Sequence, residues 1–246
     1  MIRLSINVNK IATLRNSRGG SVPSVTQAVN VCLDAGAPGI TVHPRQDERH
    51  IRAADVPDVA AIVSTRRAAG VDVEFNIEGD PRPSFIDLAV ANRPDQCTLV
   101  PVVPGEVTSQ AGWPPDTSRE ELGAVVKHLQ SAGIRVSLFV DPHPKSIDWA
   151  ASLGAERVEL YTEPFARAYE RGERAGRESF ALYVAAAERA HAAGLGVNAG
   201  HDLDLANLTL FKTLPHLDEV SIGHALISHA LWVGLDRAVR DYLGAV

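Results

Sequence analysis

The chain contains little cysteine: two residues, Cys32 and Cys97, among 246. Cys32 falls in a helical pattern and Cys97 in a buried strand pattern, which predicts two reduced core thiols rather than a disulfide. Long apolar runs are also missing, because none approaches the roughly 20 residues that cross a bilayer. The first residues do not resemble a signal peptide. We therefore expect a cytoplasmic protein with no membrane partner.

Positive charge is in short supply as well. The formal net charge is −6, which argues against non-specific binding to nucleic acid or anionic membranes. An anionic substrate would consequently need a local basic site. A hydrophobic content of 45% and a charged content of 22% are close to the averages of soluble globular proteins. The length fits one large domain, so we expect residues 1–246 to form a single barrel domain.

Nucleotide-binding motifs are absent: no G-x-G-x-x-G follows the first strand pattern, and there is no Walker-type loop. This disfavours the open doubly wound sheet, which is the alternative to a barrel. Strand and helix patterns instead alternate along the chain. The predicted strands are 3–8, 39–43, 71–77, 96–100, 135–140, 157–160, 196–199 and 219–222. The predicted helices are 24–36, 56–69, 84–92, 118–132, 145–153, 179–193, 205–214 and 226–243.

Eight strands, each followed by a helix, predict a (β/α)8 TIM barrel whose short strands are apolar on both faces. Two connections, 101–117 and 161–178, are long. Residues 166–171 within the second connection could form an extra polar helix. Long loops on the catalytic face of a barrel are often lids.

Polar side chains follow the strand patterns at the ends where barrels carry their chemistry. Two successive strands near the C-terminus end in Gly and His, at 200–201 and 223–224. Gly allows close backbone approach to a ligand, and His binds phosphate or moves protons near neutral pH. The other strand-end candidates are Asn7, Asn9, Lys10, Arg15, Arg18, His43, Arg45, His50, Glu78, Thr108 and Glu159. The set predicts a phosphate-handling active site.

Each member also has an ordinary structural interpretation. A lone His is often a satisfied structural residue, Asn caps turns, and Arg is usually a solvated surface charge. Metal binding is a competing use of the His and Glu side chains. However, no H-x-H or H-E-x-x-H spacing occurs, and the neighbouring Arg, Lys and Asn side chains suit phosphate better than a cation.

Five segments carry a family resemblance over nearly the whole chain: 7–16 (NVNKIATLRN), 39–45 (GITVHPR), 76–79 (NIEG), 197–201 (VNAGH) and 222–225 (IGHA). They resemble pyridoxine 5′-phosphate synthases. The resemblance implies a barrel with extra helices that self-associates as a homo-octamer. It also implies condensation of 3-amino-2-oxopropyl phosphate with 1-deoxy-D-xylulose 5-phosphate, giving pyridoxine 5′-phosphate, phosphate and water. No metal or organic cofactor is implied.

The resemblance also implies residue roles. His43, Glu78 and His201 match the acid–base residues, and Glu159 matches a carboxylate that stabilises a charged transition state. Asn7, Gly223 and His224 match contacts to the aminoketone phosphate. The contacts to the pentulose phosphate are matched by Asn9, Lys10, Arg18, Arg45, His50 and Thr108. Asp202 is a further candidate for substrate binding.

The chain departs from the better-known form of the family at several positions. Asn9-Lys10 replaces Asp-His, and Val102-Val103-Pro104 replaces a charged stretch. Asp202 stands where Gly is frequent, and Tyr161 stands where His is found. The departures concern pentulose-phosphate binding and lid closure rather than the acid–base positions. Two other functions remain open: a metal-dependent epimerase or aldolase of sugar phosphates, and a binding or regulatory protein without turnover.

Overall fold

Eight parallel strands close into a barrel in the computed structural model, which describes residues 2–101 and 111–246. The strands are β1 Arg3–Asn7, β2 Gly39–Val42, β3 Glu74–Gly79, β4 Gln96–Leu99, β5 Arg135–Val140, β6 Arg157–Tyr161, β7 Gly196–Gly200 and β8 Leu217–Ile222. They pair in chain order, and β8 pairs with β1 to close the ring. The predicted (β/α)8 barrel is confirmed.

Helices connect the strands, and several are additional to one helix per strand. They are α1 Asn9–Asn16, α2 Val25–Asp34, α3 Asp55–Ala68, α4 Pro83–Asn92, α5 Arg119–Ser131, α6 Pro144–Ser152, α7 Glu163–Glu170, α8 Glu173–Ala192, α9 Leu208–Phe211, α10 His224–Val233 and α11 Leu235–Leu243. Within the described ranges, no helix combines the length and the apolar character that crossing a membrane requires.

Four helix predictions need correction. Helix α1 was not predicted, because the residues of this helix are mostly polar and only Ala12 and Arg15 are buried. The predicted helix 226–243 is two helices, since Gly234 has φ of 84° and interrupts the hydrogen-bonded ladder. The predicted helix 205–214 shrinks to the single turn of α9. The extra helix expected at 166–171 is α7, which begins at Glu163 and buries Phe165, so it is amphipathic rather than polar.

Strand bounds differ from prediction by up to three residues. The largest difference is in β3, which begins at Glu74 rather than residue 71 and continues through Glu78 to Gly79. Residues 71–73 approach the barrel as extended chain before pairing begins. Glu78 is therefore part of the paired strand, where it lies opposite Thr98 of β4.

The two faces of the strands have different chemistry, which corrects the expectation of apolar strands on both faces. Residues such as Ile6, Ile77 and Leu138 are fully buried in the core between the strands and the helices. The alternating residues are polar and equally buried, for example Thr41 and Asn198. The barrel interior is thus lined by polar side chains, and the apolar core lies outside it.

A chain of hydrogen bonds satisfies this polar interior. Ser5 Oγ lies 2.7 Å from Thr41 Oγ1, and Thr98 Oγ1 donates to Asn76 Oδ1 at 3.1 Å. Asn198 Nδ2 of β7 donates to Gln96 Oε1 of β4 at 3.2 Å. Strands β4 and β7 are not neighbours, so this bond crosses the interior. Buried polar groups are costly unless they are paired, and these bonds remove much of that cost.

Candidate active site

A cavity of about 270 Å³ opens at the carboxyl ends of six strands: β1, β2, β3, β6, β7 and β8. It is lined by twelve of the predicted site residues: Asn7, Asn9, Lys10, His43, Arg45, His50, Glu78, Glu159, His201, Asp202, Gly223 and His224. Parallel strands of a barrel end on one face, and this explains why residues so far apart in sequence meet.

Arg18 is not part of this group. Arg18 is exposed in the turn that follows α1 and does not line the cavity. Its backbone N–H donates to Arg15 O at 3.4 Å, which closes a tight turn after α1. Thr108 lies outside the described residues.

Glu78 and His43 form the centre of the site. Glu78 Oε2 lies 3.8 Å from His43 Nδ1 and accepts a hydrogen bond from Asn7 Nδ2 at 3.4 Å. The backbone holds this group in place: His43 N–H donates to Asn9 Oδ1 at 2.9 Å, and Asn9 N–H donates to Asn7 Oδ1 at 3.0 Å. Asn7 and Asn9 therefore connect the end of β1 to the end of β2, in addition to lining the cavity.

Burial sets the charge states of this centre. It raises the pKa of Glu78 from 4.5 to about 8, helped by the nearby carboxylate of Glu219. Burial also lowers the pKa of His43 well below 6.5, with further contributions from His50 and Arg45. At pH 7 both partners are consequently neutral: Glu78 carries a proton, and one ring nitrogen of His43 is free to accept one. Glu78 can therefore act as an acid and His43 as a base in the same site.

Glu159 is a second buried carboxyl group in the cavity wall. Its side chain is buried, and its pKa is raised well above 4.5 by burial and by the neighbouring acids Glu78 and Glu219. A Cβ on Gly200 would lie 2.4 Å from Glu159 Oε1. Gly at this strand end is therefore what leaves room for the carboxyl group, which explains the first Gly-His pair in physical terms.

His201 lies against an aromatic wall. Its ring centroid is 4.9 Å from that of Phe139 and 6.0 Å from that of Tyr161. Burial lowers the pKa of His201, although the adjacent Asp202 acts in the opposite direction. His201 Nδ1 is buried and has no hydrogen-bond partner among the residues that the structure describes.

A basic group lies at the ends of β1 and β2. Lys10, Arg45 and His50 line the same side of the cavity, and the rings of His43 and His50 are 5.5 Å apart. Burial and the charge of Arg45 lower the pKa of His50 to about 4, so His50 is a neutral hydrogen-bonding group at pH 7. Lys10 and Arg45 supply basic side chains beside it, and such side chains suit a phosphate group.

Arg15 supports this basic group from behind. It is buried rather than solvated, which corrects the surface interpretation, and it donates to both carboxylate oxygens of Asp55, at 2.6 and 2.9 Å. Arg15 Nη2 also donates to the carbonyl of His50 at 3.2 Å, and Asn16 Nδ2 donates to the same carbonyl at 2.7 Å. The segment that carries His50 is thus fixed to α1 and α3.

A helix N-terminus lies beside the end of β1, because α10 follows β8 and β8 pairs with β1. Helix α10 begins at His224 with Gly223 as its N-cap. Added side-chain atoms at Gly223 would lie 3.1 Å from Asn7 Cβ and Asn7 O, so the backbone approaches β1 closely here. Free N–H groups and the helix dipole make such a terminus a site for phosphate.

Several residues in or near the cavity were not predicted as site residues. Leu203 and Ser221 line the cavity, and Glu219 lies deeper in the barrel interior, where it acts on both Glu78 and Glu159. Ser221 and Glu219 could be predicted from the alternation of residues along β8, because both lie on the inward face of that strand. In the described ranges, no group of three His, Cys, Asp or Glu side chains is arranged to hold a metal ion.

The fold and the cavity together define a (β/α)8-barrel enzyme with ionisable groups at its strand ends. Among solved structures, a 3-hexulose-6-phosphate synthase matches at 14% identity with a TM-score of 0.63, covering 100% of both chains. Thiamine phosphate pyrophosphorylase from Pyrococcus furiosus matches at 11% identity with a TM-score of 0.58, covering 99% of this chain and 95% of the other. At these identities the likeness concerns the fold alone.

Sequence comparison gives the family. Residues 4–246 match the model of the family described as pyridoxal phosphate biosynthesis protein PdxJ. A relative from Bacteroides thetaiotaomicron is 51% identical over 243 residues, covering 98% of both chains. One from Christiangramia forsetii is 49% identical and covers 99% of this chain and 98% of its own. Both are named pyridoxine 5′-phosphate synthase. The chain belongs to the PdxJ family.

Proposed function

We propose that this protein is a pyridoxine 5′-phosphate synthase, a transferase that condenses 3-amino-2-oxopropyl phosphate with 1-deoxy-D-xylulose 5-phosphate. The products are pyridoxine 5′-phosphate, inorganic phosphate and water. The observation that carries the proposal is one cavity that combines a neutral acid–base pair with two groups suited to phosphate, the basic side chains after β1 and β2 and the N-terminus of α10 after β8. Relatives that are about 50% identical over the whole chain support it.

Two phosphorylated substrates need two anion sites. The N-terminus of α10, with Gly223 and His224, suits the phosphate of the aminoketone, together with Asn7. This phosphate stays in the product, so a fixed backbone cradle is appropriate. Lys10, Arg45 and His50 suit the phosphate of the pentulose, and Asn9 and Asp202 suit its hydroxyl groups. The pentulose phosphate leaves, and side-chain cations can release it.

Schiff-base formation requires a base and an acid in succession. The amine of the aminoketone attacks the pentulose ketone only after losing a proton, and neutral His43 can accept it. The carbinolamine then expels water, and protonated Glu78 can donate the proton that the departing hydroxyl needs. The raised pKa of Glu78 favours donation of a proton first, and Glu78 can then act as a base once it has ionised.

The later steps use the other side of the cavity. His201 can protonate the phosphate that leaves, because its ring lines the cavity and a phosphate dianion bound beside it favours the protonated imidazole, against the effect of burial. Glu159 can stabilise positive charge that develops on the ring nitrogen, since a nearby cation favours ionisation of a buried carboxyl group. Release of this phosphate consumes one water, which leaves a hydroxyl group in the product. Loss of one pentulose hydroxyl group and ring closure at the aminoketone carbonyl each release a water, so two waters are released in net. No step requires a metal or an organic cofactor.

We further propose that residues 1–246 act as one domain in a cytoplasmic homo-octamer. The test of the function is an incubation of purified, chelator-treated protein with both substrates, followed by mass spectrometry for pyridoxine 5′-phosphate and a phosphate assay. We expect equal amounts of both products, and neither when one substrate is omitted. Folded protein that binds phosphate ligands without turnover would instead indicate a binding protein. Activity that returns only with added metal would indicate a metal-dependent enzyme.

A further inference from the structure

The backbone at the end of β7 has an uncommon conformation. His201 has φ of 75° and Asp202 has φ of 55°, so two consecutive residues with side chains occupy the left-handed region. Each costs about 1 to 2 kcal/mol relative to the right-handed region. Such a conformation persists only where the surrounding structure holds it, and it is concentrated at functional sites.

Thr162 holds this turn. Its side chain is fully buried immediately after β6. Thr162 N–H donates to the carbonyl of Gly200 at 3.3 Å, and Oγ1 donates to the same carbonyl at 2.5 Å. The carbonyl of His201 lies within reach of the same Oγ1, so its single hydrogen is shared between the two carbonyls. One hydroxyl group therefore contacts the carbonyls on both sides of the His201 backbone.

The peptide group between Gly200 and His201 lies next to two groups of the proposed reaction, the carboxyl group of Glu159 and the ring of His201. The Gly200 Cα lies directly against the carboxyl group of Glu159, since a Cβ there would be 2.4 Å from Oε1. The next residue is His201, whose ring is fixed on its far side by Phe139. A rotation of the 200–201 peptide would consequently move the His201 ring and change the space around Glu159 together.

We infer that Thr162 is a positioning residue of the active site, whose hydroxyl group fixes the left-handed turn that presents His201 to the leaving phosphate. The inference rests on the function proposed above for His201. Thr162 does not line the cavity, so it acts through the backbone of its neighbours rather than on the substrate.

A pair of variants isolates the hydroxyl group. Thr162→Ser keeps Oγ1 and Thr162→Ala removes it, and both lack the methyl group, so the two differ by one oxygen atom. We expect Thr162→Ala to lower kcat about a hundredfold, because a displacement of about 1 Å at a reacting group costs this much, with KM values little changed. Thr162→Ser should retain kcat within about threefold. If the Ala variant does not fold, Thr162→Val takes its place with the same expectation.

Tyr183→Phe is the matched control. Tyr183 is buried, and its hydroxyl group donates to the carbonyl of Tyr161 at 2.7 Å, one residue before Thr162. The variant thus loses a bond of the same kind at the same strand end but keeps the Thr162 hydroxyl group and its contacts to the His201 turn. We expect a loss of Tm similar to that of Thr162→Ala, but a kcat close to that of the unaltered protein.

A readout without turnover separates this inference from the proposed function. With histidine labelled with ¹³C, the imidazole signal of His201, assigned by its loss in His201→Gln, should shift in Thr162→Ala and not in Thr162→Ser. An unchanged signal and kcat in Thr162→Ala would overturn the inference, as would equal losses in Thr162→Ser or Tyr183→Phe. Absence of product from the unaltered protein, with the predicted signal changes, would contradict the synthase function alone.

Discussion

Replacing Glu78 with Gln changes the protonation of the site at nearly constant volume. Glu78 is buried at the end of β3, and its pKa is raised from 4.5 to about 8. Gln has the shape of the protonated acid and remains neutral at every pH. The variant should therefore fold normally and lose turnover, since Gln can neither donate nor accept the proton that the reaction needs.

The same substitution has a predictable effect on stability. In the folded protein Glu78 binds its proton up to about pH 8, whereas in the unfolded chain it releases the proton above about 4.5. The folded state thus binds more protons between these values, and its stability falls as pH rises through this window. At about 1.4 kcal/mol per pKa unit, the loss reaches about 3 kcal/mol at pH 7. Gln incurs no such loss.

The assay is thermal unfolding of both proteins at a series of pH values from 5 to 8. We expect the Tm of Glu78→Gln to rise relative to that of the unaltered protein as pH increases. At about 2 to 4 °C for each kcal/mol, the relative gain at pH 7 is about 6 to 12 °C. Glu120→Gln is the control, because Glu120 is exposed on α5, and its Tm curve should follow that of the unaltered protein.

Two results would refute the reasoning. Parallel Tm curves for Glu78→Gln and the unaltered protein would mean that Glu78 is already ionised in the folded state. Turnover close to normal in the variant would mean that Glu78 transfers no proton, whatever its pKa. The first result addresses the electrostatics and the second the chemistry, so the two claims can fail independently.

Three further substitutions test other parts of the site. Asp55→Asn leaves Arg15 as a largely buried cation that has lost its ion pair, so we expect a loss of about 3 kcal/mol in urea unfolding; an unchanged midpoint would contradict the structural role of the pair. Gly200→Ala introduces a Cβ 2.4 Å from Glu159 Oε1, and kcat should fall at least about tenfold in a folded protein; normal kcat would show that the carboxyl group moves freely. His224→Ala should raise KM for the aminoketone phosphate more than it lowers kcat, and an unchanged KM would remove His224 from that phosphate site.

Much of the cavity could be predicted because strand order fixes which residues meet. Once the chain is interpreted as eight parallel strands, the ends of all strands must share one face, and His43, Glu78 and His201 fall together without knowledge of any distance. The Gly-His pairs also helped to predict the cavity, since a Gly before a His indicates a strand end that approaches other groups closely.

The remainder depends on packing that the sequence does not express. Helix α1 has a polar sequence and forms because Arg15 reaches Asp55, which lies 40 residues away. Glu219 acts on Glu78 only because β8 turns it into the same interior. The neutral states of His43 and Glu78 likewise arise from burial, and burial is a property of the closed barrel rather than of either residue.

The central claim is that one cavity holds two phosphates with different fates: the one at the N-terminus of α10 is retained, and the one at Lys10 and Arg45 is released. The most direct measurement labels the phosphate of each substrate in turn with ³²P and follows the label after turnover. We expect all label from the pentulose phosphate in inorganic phosphate, and all label from the aminoketone phosphate in pyridoxine 5′-phosphate. Label in the opposite products, or divided between them, would contradict the assignment of the two sites.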